Sequence, residues 1–198
     1  MTQHPDCQNL DLPDADVRFF PDFFPKPDSD VWFQHLLTKT QWKQEMIKLY
    51  GKSHPVPRLI HWYGDEGKTY AYSGIFLQPE PWTPVLLEIK GQVESVVGVK
   101  FNSVLCNLYR NERDSVGWHS DDEPELGENP LIASASFGAC RTFQMRHKRD
   151  KTLRTTIRLT HGSLLVMAGA TQHHWLHSIP KLRQPVGPRI NLTFRIII

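Results

Sequence analysis

Hydrophobic positions in this chain change their period near residue 100. Upstream, the clearest run is Thr83 to Val97, where Val85, Leu86, Ile89, Val93, Val96 and Val97 fall on one stripe of a helix. Thr83 suits the N-cap, Pro84 the first helical position and Gly98 the stop, so the pattern predicts a helix whose stripe is core. Ser29 is placed to cap a shorter helix through Lys39, with Val31, Trp32, Leu36 and Leu37 turned inward. The aromatic burst RFFPDFF (18–24), broken by Pro21, reads as a docked strand. Residues 41–50 alternate, with Trp42 and Met46 on one face, and predict a strand that ends in the turn Tyr50-Gly51-Lys52. A second strand is expected over 58–63, a hairpin turn at Asp65-Glu66-Gly67, and a third strand on which Tyr70 and Tyr72 face the same way.

From Lys100 onward the reading is β. Strands are expected over 100–110, 131–137, 140–147, 152–158, 163–168 and 189–197, separated by Gly, Pro or charged turns. Helices early and short strands late predict a mainly β (α+β) domain, a sandwich or barrel with the N-terminal helices packed outside. Residues 1–16, polar and rich in Asp and Pro, read as a flexible arm ahead of a single domain over 17–198, with hairpins over about 41–76.

Composition narrows the picture. At 198 residues, with 39% hydrophobic and 22% charged positions, the chain can bury a core without disulfides. Its three cysteines, Cys7, Cys106 and Cys140, are odd in number and unrelated in spacing, which points to an intracellular, reducing setting. The first residues have no basic and apolar leader pattern, and no apolar run reaches membrane-span length. The expected setting is therefore the cytoplasm in a bacterium or the nucleus in a eukaryote, with no membrane partner and a monomeric chain. A net charge of +2 leaves any nucleic-acid contact to a local patch.

Candidate chemistry concentrates in NLYRNERDSVGWHSDDE (107–123). Asn107 and Tyr109 share one strand face, and His119 and Asp121, two residues apart in extended backbone, share another. An imidazole and a carboxylate so placed can hold a divalent metal, and a second histidine would complete the triad of non-haem Fe(II) oxygenases. A solvated acidic turn explains the same residues, so the pair is weak on its own. Spacing does not choose among His173, His174 and His177 for the third ligand. The final strand alternates without a slip: Arg189, Asn191, Thr193 and Arg195 on one face, Ile190, Leu192, Phe194 and Ile196 on the other. Two arginines flanking an amide and a hydroxyl, with no acid among them, suit a small dianion.

Together NLYR…WHSDDE, SFGACRTFQMRHK, HGSLLVMAG…HWLHSIP and PRINLTFR resemble the AlkB family of Fe(II)- and 2-oxoglutarate-dependent nucleic-acid dealkylases, nearest the branch with the human double-strand DNA repair member. The resemblance runs from about Tyr50 to Arg195. It implies a double-stranded β-helix (jelly roll) and a metal triad of His119, Asp121 and His177, with Fe(II), 2-oxoglutarate and O2 as cofactor and co-substrates. It implies that Asn107 and Tyr109 contact 2-oxoglutarate, that Arg195 pairs with the far carboxylate and Arg189 with the end near the metal, and that Asn191 and Thr193 share that face. On the substrate side it implies that Tyr70 and Tyr72 line the pocket for an extruded base and that Asp122 and Glu123 meet the base edge. Tyr50-Gly51-Lys52 stands where the family has a hairpin whose aromatic tip wedges into the duplex; the branch compared has Phe at Tyr50. The implied reaction is oxidative demethylation of 1-methyladenine and 3-methylcytosine in DNA, with release of formaldehyde, succinate and CO2. The alternative is the same chemistry on RNA or on a non-nucleic-acid substrate. Arg141, Arg146, Lys148, Arg149, Lys151 and Arg154, with Lys181 and Arg183, are then expected to contact phosphates.

Overall fold

The computed structural model describes residues 6–49, 52–67, 70–72, 75–77 and 79–198. In chain order, strands β1 (Gln8–Asn9) and β2 (Asp16–Phe20) precede helix α1 (Lys26–Lys39). Next come β3 (Met46–Leu49), β4 (Lys52–Pro55), β5 (Leu59–Gly64), β6 (Tyr70–Tyr72), β7 (Ile75–Leu77) and helix α2 (Pro84–Val97). The second half holds β8 (Ser103–Tyr109), β9 (Val116–His119), β10 (Ile132–Gly138), β11 (Arg141–His147), β12 (Arg154–Leu159) and β13 (Ser163–Ala168). It closes with the short helix α3 (Thr171–His174), β14 (Trp175–Ile179) and β15 (Arg189–Arg195).

Among the described residues these strands build two main antiparallel sheets, seven strands in the order β1-β2-β13-β10-β15-β8-β5 and four in the order β12-β11-β14-β9, with the two-stranded pairs β3-β4 and β6-β7 beside them. Between them lies one core, in which Phe143, Met145, Ile157, Leu159 and Trp175 of the small sheet meet Val17, Phe19, Ile132, Leu165 and Met167 of the large one. The opposite face of the large sheet packs on the helices, where Trp32 and Leu36 of α1 and Leu86, Ile89 and Val93 of α2 meet Phe137, Leu164, Ile190, Leu192 and Phe194. The result is the expected jelly roll with helices outside. No described helix is long and apolar enough to cross a membrane.

Helix α2 follows its pattern closely: Thr83 Oγ1 accepts the Leu86 N–H and Gly98, at φ 76°, ends it. Helix α1 does not begin at Ser29. Pro25 holds the N-cap and Pro27 lies in the first turn, so the helix starts four residues earlier than a Ser29 cap implies. Ser29 is instead buried within the first turn, its hydroxyl 3.5 Å from the Phe24 carbonyl. Val31 points outward at 67% exposure, because Ser29, Trp32 and Leu36 already define the buried face at helical spacing.

Other expectations shift as well. Of the described residues 41–49, Met46–Leu49 form the strand, while Lys43 makes an isolated bridge to Ile60. Among the described residues the turn at Glu66-Gly67 closes no hairpin: β5 pairs with β8, and β6 pairs with β7. Over its described residues the expected arm is docked, since β1 pairs with β2, Trp175 Nε1 donates to the Pro13 carbonyl at 2.9 Å and Thr171 Oγ1 accepts the Asp16 N–H at 2.9 Å.

Gly138 ends β10 opposite Arg189 at φ +88°, and a Cβ there would lie 2.4 Å from the Pro188 carbonyl oxygen and 2.6 Å from Phe33 Cε2. Gly138→Ala is expected to destabilise the fold by roughly 2–5 kcal/mol, the sum of left-handed backbone strain and an overpacked contact. A chemical-denaturation midpoint at the wild-type value would contradict this close packing.

Candidate active site

The two sheets meet at a buried cavity lined by Asn107, Tyr109, His119, Asp121, His177, Arg189, Asn191, Thr193 and Arg195. Strands β9 and β14 are paired so that His119 and His177 stand directly opposite one another, their ring centroids 4.2 Å apart. This cross-strand pairing selects among the three histidines. His173 bonds the Glu128 carbonyl and His174 stacks beside His147, so neither enters the cavity.

Asp121 lies just past β9, with Oδ1 3.5 Å from His119 Nε2 and 3.9 Å from His177 Nε2. That oxygen is buried without a hydrogen-bond partner, a costly state that a cation between the three groups would relieve. The imidazoles are prepared for the same role. His119 Nδ1 sits 2.9 Å from the Gly117 carbonyl, which places its proton there and leaves Nε2 free to ligate. Burial, reinforced by the neighbouring His119, pushes the His177 pKa down to about 3, so that ring stays neutral; Phe143 stacks on it at 5.1 Å. Burial opposes ionisation of Asp121, but Arg195 and the two histidines outweigh it and hold the carboxyl well below the usual range. The three groups therefore fit a divalent metal.

A second cluster, Asp14, His147 and His174, has ligand atoms at comparable distances. There His147 Nδ1 accepts the Asp150 N–H at 3.0 Å, which puts the ring proton on the Nε2 that faces Asp14 at 3.6 Å. That nitrogen is a donor and not a ligand.

The donor-rich face of β15 is buried, not solvated. Cross-strand registers set Arg189 beside Tyr109 and Asn191 beside Asn107. Asn191 Nδ2 donates to Ser134 Oγ at 2.7 Å and its Oδ1 accepts from Thr193 at 2.9 Å, so both serve to stiffen the face. Arg195 Nη2 donates to Asp121 Oδ2 at 2.6 Å. Arg189, 1% exposed, donates through Nη2 to Ser136 Oγ at 2.9 Å and lies over the Tyr109 ring at 5.1 Å, while its Nε and Nη1 have no hydrogen-bond partner. Burial pushes its pKa down to about 10, and it remains a cation near neutral pH. A buried guanidinium with spare donors and no carboxylate implies an anion supplied by a ligand.

Comparison with known proteins agrees. The family model of the 2OG-Fe(II) oxygenase superfamily matches residues 16–195. Alpha-ketoglutarate-dependent dioxygenase alkB homolog 3 is 49% identical in Bos taurus and 47% in Homo sapiens, over 190 residues that cover 91% of this chain and 66% of each relative. DNA oxidative demethylase ALKBH2 of Mus musculus is 44% identical over 185 residues, 88% of this chain and 77% of that protein. This chain belongs to the AlkB family of 2OG-Fe(II) oxygenases. It spans 66% of the length of the alkB homolog 3 proteins it matches. The structure of OsALKBH1 superposes with a TM-score of 0.65 at 15% identity, covering 96% of this chain and 100% of that one, which speaks for the fold alone. Identity to the alkB homolog 3 proteins is a few points above that to the ALKBH2 proteins, so the likeness is shared between both.

Within this AlkB site the two arginines of β15 stand at different distances from Asp121. The resemblance put Arg195 at the far carboxylate of 2-oxoglutarate and Arg189 near the metal. In the structure Arg195 bonds the Asp121 carboxylate, and Arg189 sits at the opposite end of β15 beside Tyr109. Which end of β15 abuts the Asp121 loop is a property of sheet closure that local alternation does not carry.

On the substrate side, Asp122 is exposed and pairs with Lys148 Nζ at 3.1 Å, while Glu123 is half-buried. Neither lines the inner cavity. Tyr70 and Tyr72 lie on β6, but their side chains are outside the described ones; Tyr50 and Gly51 lie outside the described residues, and Lys52 opens β4. Among the basic positions Arg141 is not a phosphate contact. It is buried, donating to the carbonyls of Asn111, Asp114 and Pro180. Arg146 lies 4.2 Å over the Trp118 ring on the outer face of the small sheet. Sequence reading missed Arg58, whose Nε donates to Asn107 Oδ1 at 2.7 Å within the cavity wall. It also missed Ser134 and Ser136, which anchor Asn191 and Arg189. The missed signal was that both serines fall on the inward face of β10.

Proposed function

We propose that this chain demethylates alkylated bases in DNA, 1-methyladenine and 3-methylcytosine, by direct oxidative reversal that yields formaldehyde, succinate and CO2. The observation that carries the reading is a single cavity with two uncompensated buried groups, Asp121 Oδ1 between two imidazoles and Arg189 with spare donors. The first suits Fe(II) and the second a dianion such as 2-oxoglutarate. The direction toward nucleic acid rests on the relatives, one set of which are DNA oxidative demethylases.

Bound Fe(II), with 2-oxoglutarate and O2, would supply the oxidation of the N-methyl carbon. His119, Asp121 and His177 would hold the metal on one side, leaving the other side open. Arg189 would pair with the far carboxylate of 2-oxoglutarate beside Tyr109, and Arg195, locked to Asp121, would orient the end near the metal. Asn107 would present its amide from the neighbouring strand, steadied by Arg58. Phe143, Met167 and Ile179 line the same cavity and exclude water from it. A base methylated at N1 of adenine or N3 of cytosine is a cation that pairs poorly, so it is cheap to extrude, and aromatic faces and carboxylates favour it. Tyr70, Tyr72, Asp122 and Glu123 are the groups assigned that recognition, with Tyr50-Gly51-Lys52 as the wedge.

Tyr70→Ala separates recognition from chemistry. The expected outcome is 2-oxoglutarate turnover that continues to form succinate while repair of 1-methyladenine drops by about 5- to 150-fold, the loss of one stacking contact of about 1–3 kcal/mol. Equal loss of both products would place Tyr70 in the machinery for 2-oxoglutarate, and unchanged repair would remove it from the base pocket.

A further inference from the structure

Asp121 sits beyond the end of β9, where no sheet ladder takes its backbone N–H. Gln172 takes it instead, through Oε1 at 2.9 Å. Gln172 belongs to α3, is 1% exposed, and turns the other half of its amide toward Met167 Sδ at 3.6 Å. Its own carbonyl accepts from Lys148 Nζ at 2.8 Å, and the same ammonium reaches Asp122 Oδ2 at 3.1 Å. Lys148 is tied to α3 a second time, its N–H donating to the His174 carbonyl at 2.7 Å. Helix α3 runs directly into β14, which carries His177. One buried residue thus touches Asp121 directly, Asp122 through Lys148, and the strand of His177 by continuity of the chain.

We propose that Gln172 is a positioning residue that fixes the Asp121 carboxylate against His177, and that Lys148 carries the same restraint to Asp122 on the substrate side. The inference rests on the metal-binding reading of the triad and not on which base is repaired. An amide suits the position for two reasons. It supplies the acceptor that a buried N–H requires, and it adds no charge beside Asp121. Residues hydrogen-bonded behind metal ligands orient them, and their loss weakens metal binding by about 10–100-fold.

The test is a Co(II) titration of the full chain, read by visible absorption, alongside succinate and repaired base counted in the same reaction with Fe(II). Gln172→Leu is expected to weaken the Co(II) Kd by about 10–100-fold and to alter the spectrum. Gln172→Glu, which keeps an acceptor at the same reach but adds a charge beside Asp121, should fall between the leucine variant and wild type. Lys148→Met should leave the Co(II) Kd unchanged but raise the succinate formed per base repaired, because it releases Asp122 while the Asp121 N–H keeps its Gln172 acceptor and the Lys148 backbone stays bonded to His174. Wild-type affinity and spectrum in Gln172→Leu overturn the proposal, as does a Gln172→Glu protein as impaired as the leucine variant. If Gln172→Leu fails to fold, Lys148→Met decides, and wild-type coupling in it sinks the restraint on Asp122. A wild-type chain that binds no Co(II) overturns the metal-centre reading itself, a result distinct from all of these.

Discussion

Asp121→Ala is expected to abolish 2-oxoglutarate turnover and to weaken metal binding by more than about 100-fold, beyond the loss seen when only a residue behind a ligand is removed. The substitution deletes the oxygen that faces both imidazoles at 3.5 and 3.9 Å and the one to which Arg195 Nη2 donates at 2.6 Å. Asp121→Asn keeps the shape but not the charge, so it should lie between alanine and wild type in metal affinity. The histidines give the matched control. His177→Ala should be as inactive as Asp121→Ala, while His173→Ala, bonded to a surface carbonyl outside the cavity, should turn over 2-oxoglutarate like wild type. Turnover by Asp121→Ala at the wild-type rate, measured as succinate, would overturn the ligand assignment.

Arg189→Met is expected to raise the KM for 2-oxoglutarate by about 100-fold with little change in Co(II) affinity. A buried bidentate pair gives two hydrogen bonds to a charged group at about 1.5–3 kcal/mol each, and losing about 3 kcal/mol of that total corresponds to about two decades in affinity. Arg189 bonds Ser136 and lies over the Tyr109 ring rather than reaching Asp121. Arg195→Met should behave differently, losing affinity for both 2-oxoglutarate and metal, because Arg195 is bonded to Asp121. Titration of Co(II) and steady-state KM measured on the two variants separate these outcomes. Identical profiles would contradict the placement of one arginine at each end of the co-substrate.

The parts of this architecture that are local in sequence were legible. The alternation of β15 and β8 placed two arginines, two asparagines, a threonine and a tyrosine on one face, and that face is the cavity wall. Helix α2 was readable at both ends because Thr83 and Gly98 are unambiguous caps. Helix α1 was misread at its start because Pro25 and Pro27 open it without a side-chain cap. The non-local parts were hidden. His177 is distinguished from His173 and His174 by the pairing of β14 with β9, two strands far apart in the chain. Which of Arg189 and Arg195 lies at Asp121 depends on how the sheets close, which local alternation does not carry. Gln172 carries no motif; its importance is one backbone N–H that ends up buried beyond a strand. Arg141 looked like a surface cation and is buried, because three carbonyls from two loops converge on it.

The most direct test of the central claim is formaldehyde and succinate measured together, using the purified chain with Fe(II), 2-oxoglutarate and matched single- and double-stranded DNA carrying 1-methyladenine. The account predicts formaldehyde in near-equal amount to succinate on at least one of the two substrates, with neither product formed by Asp121→Ala. Succinate without formaldehyde on both, while methylated RNA or another substrate restores coupling, would contradict the assignment to alkylated DNA.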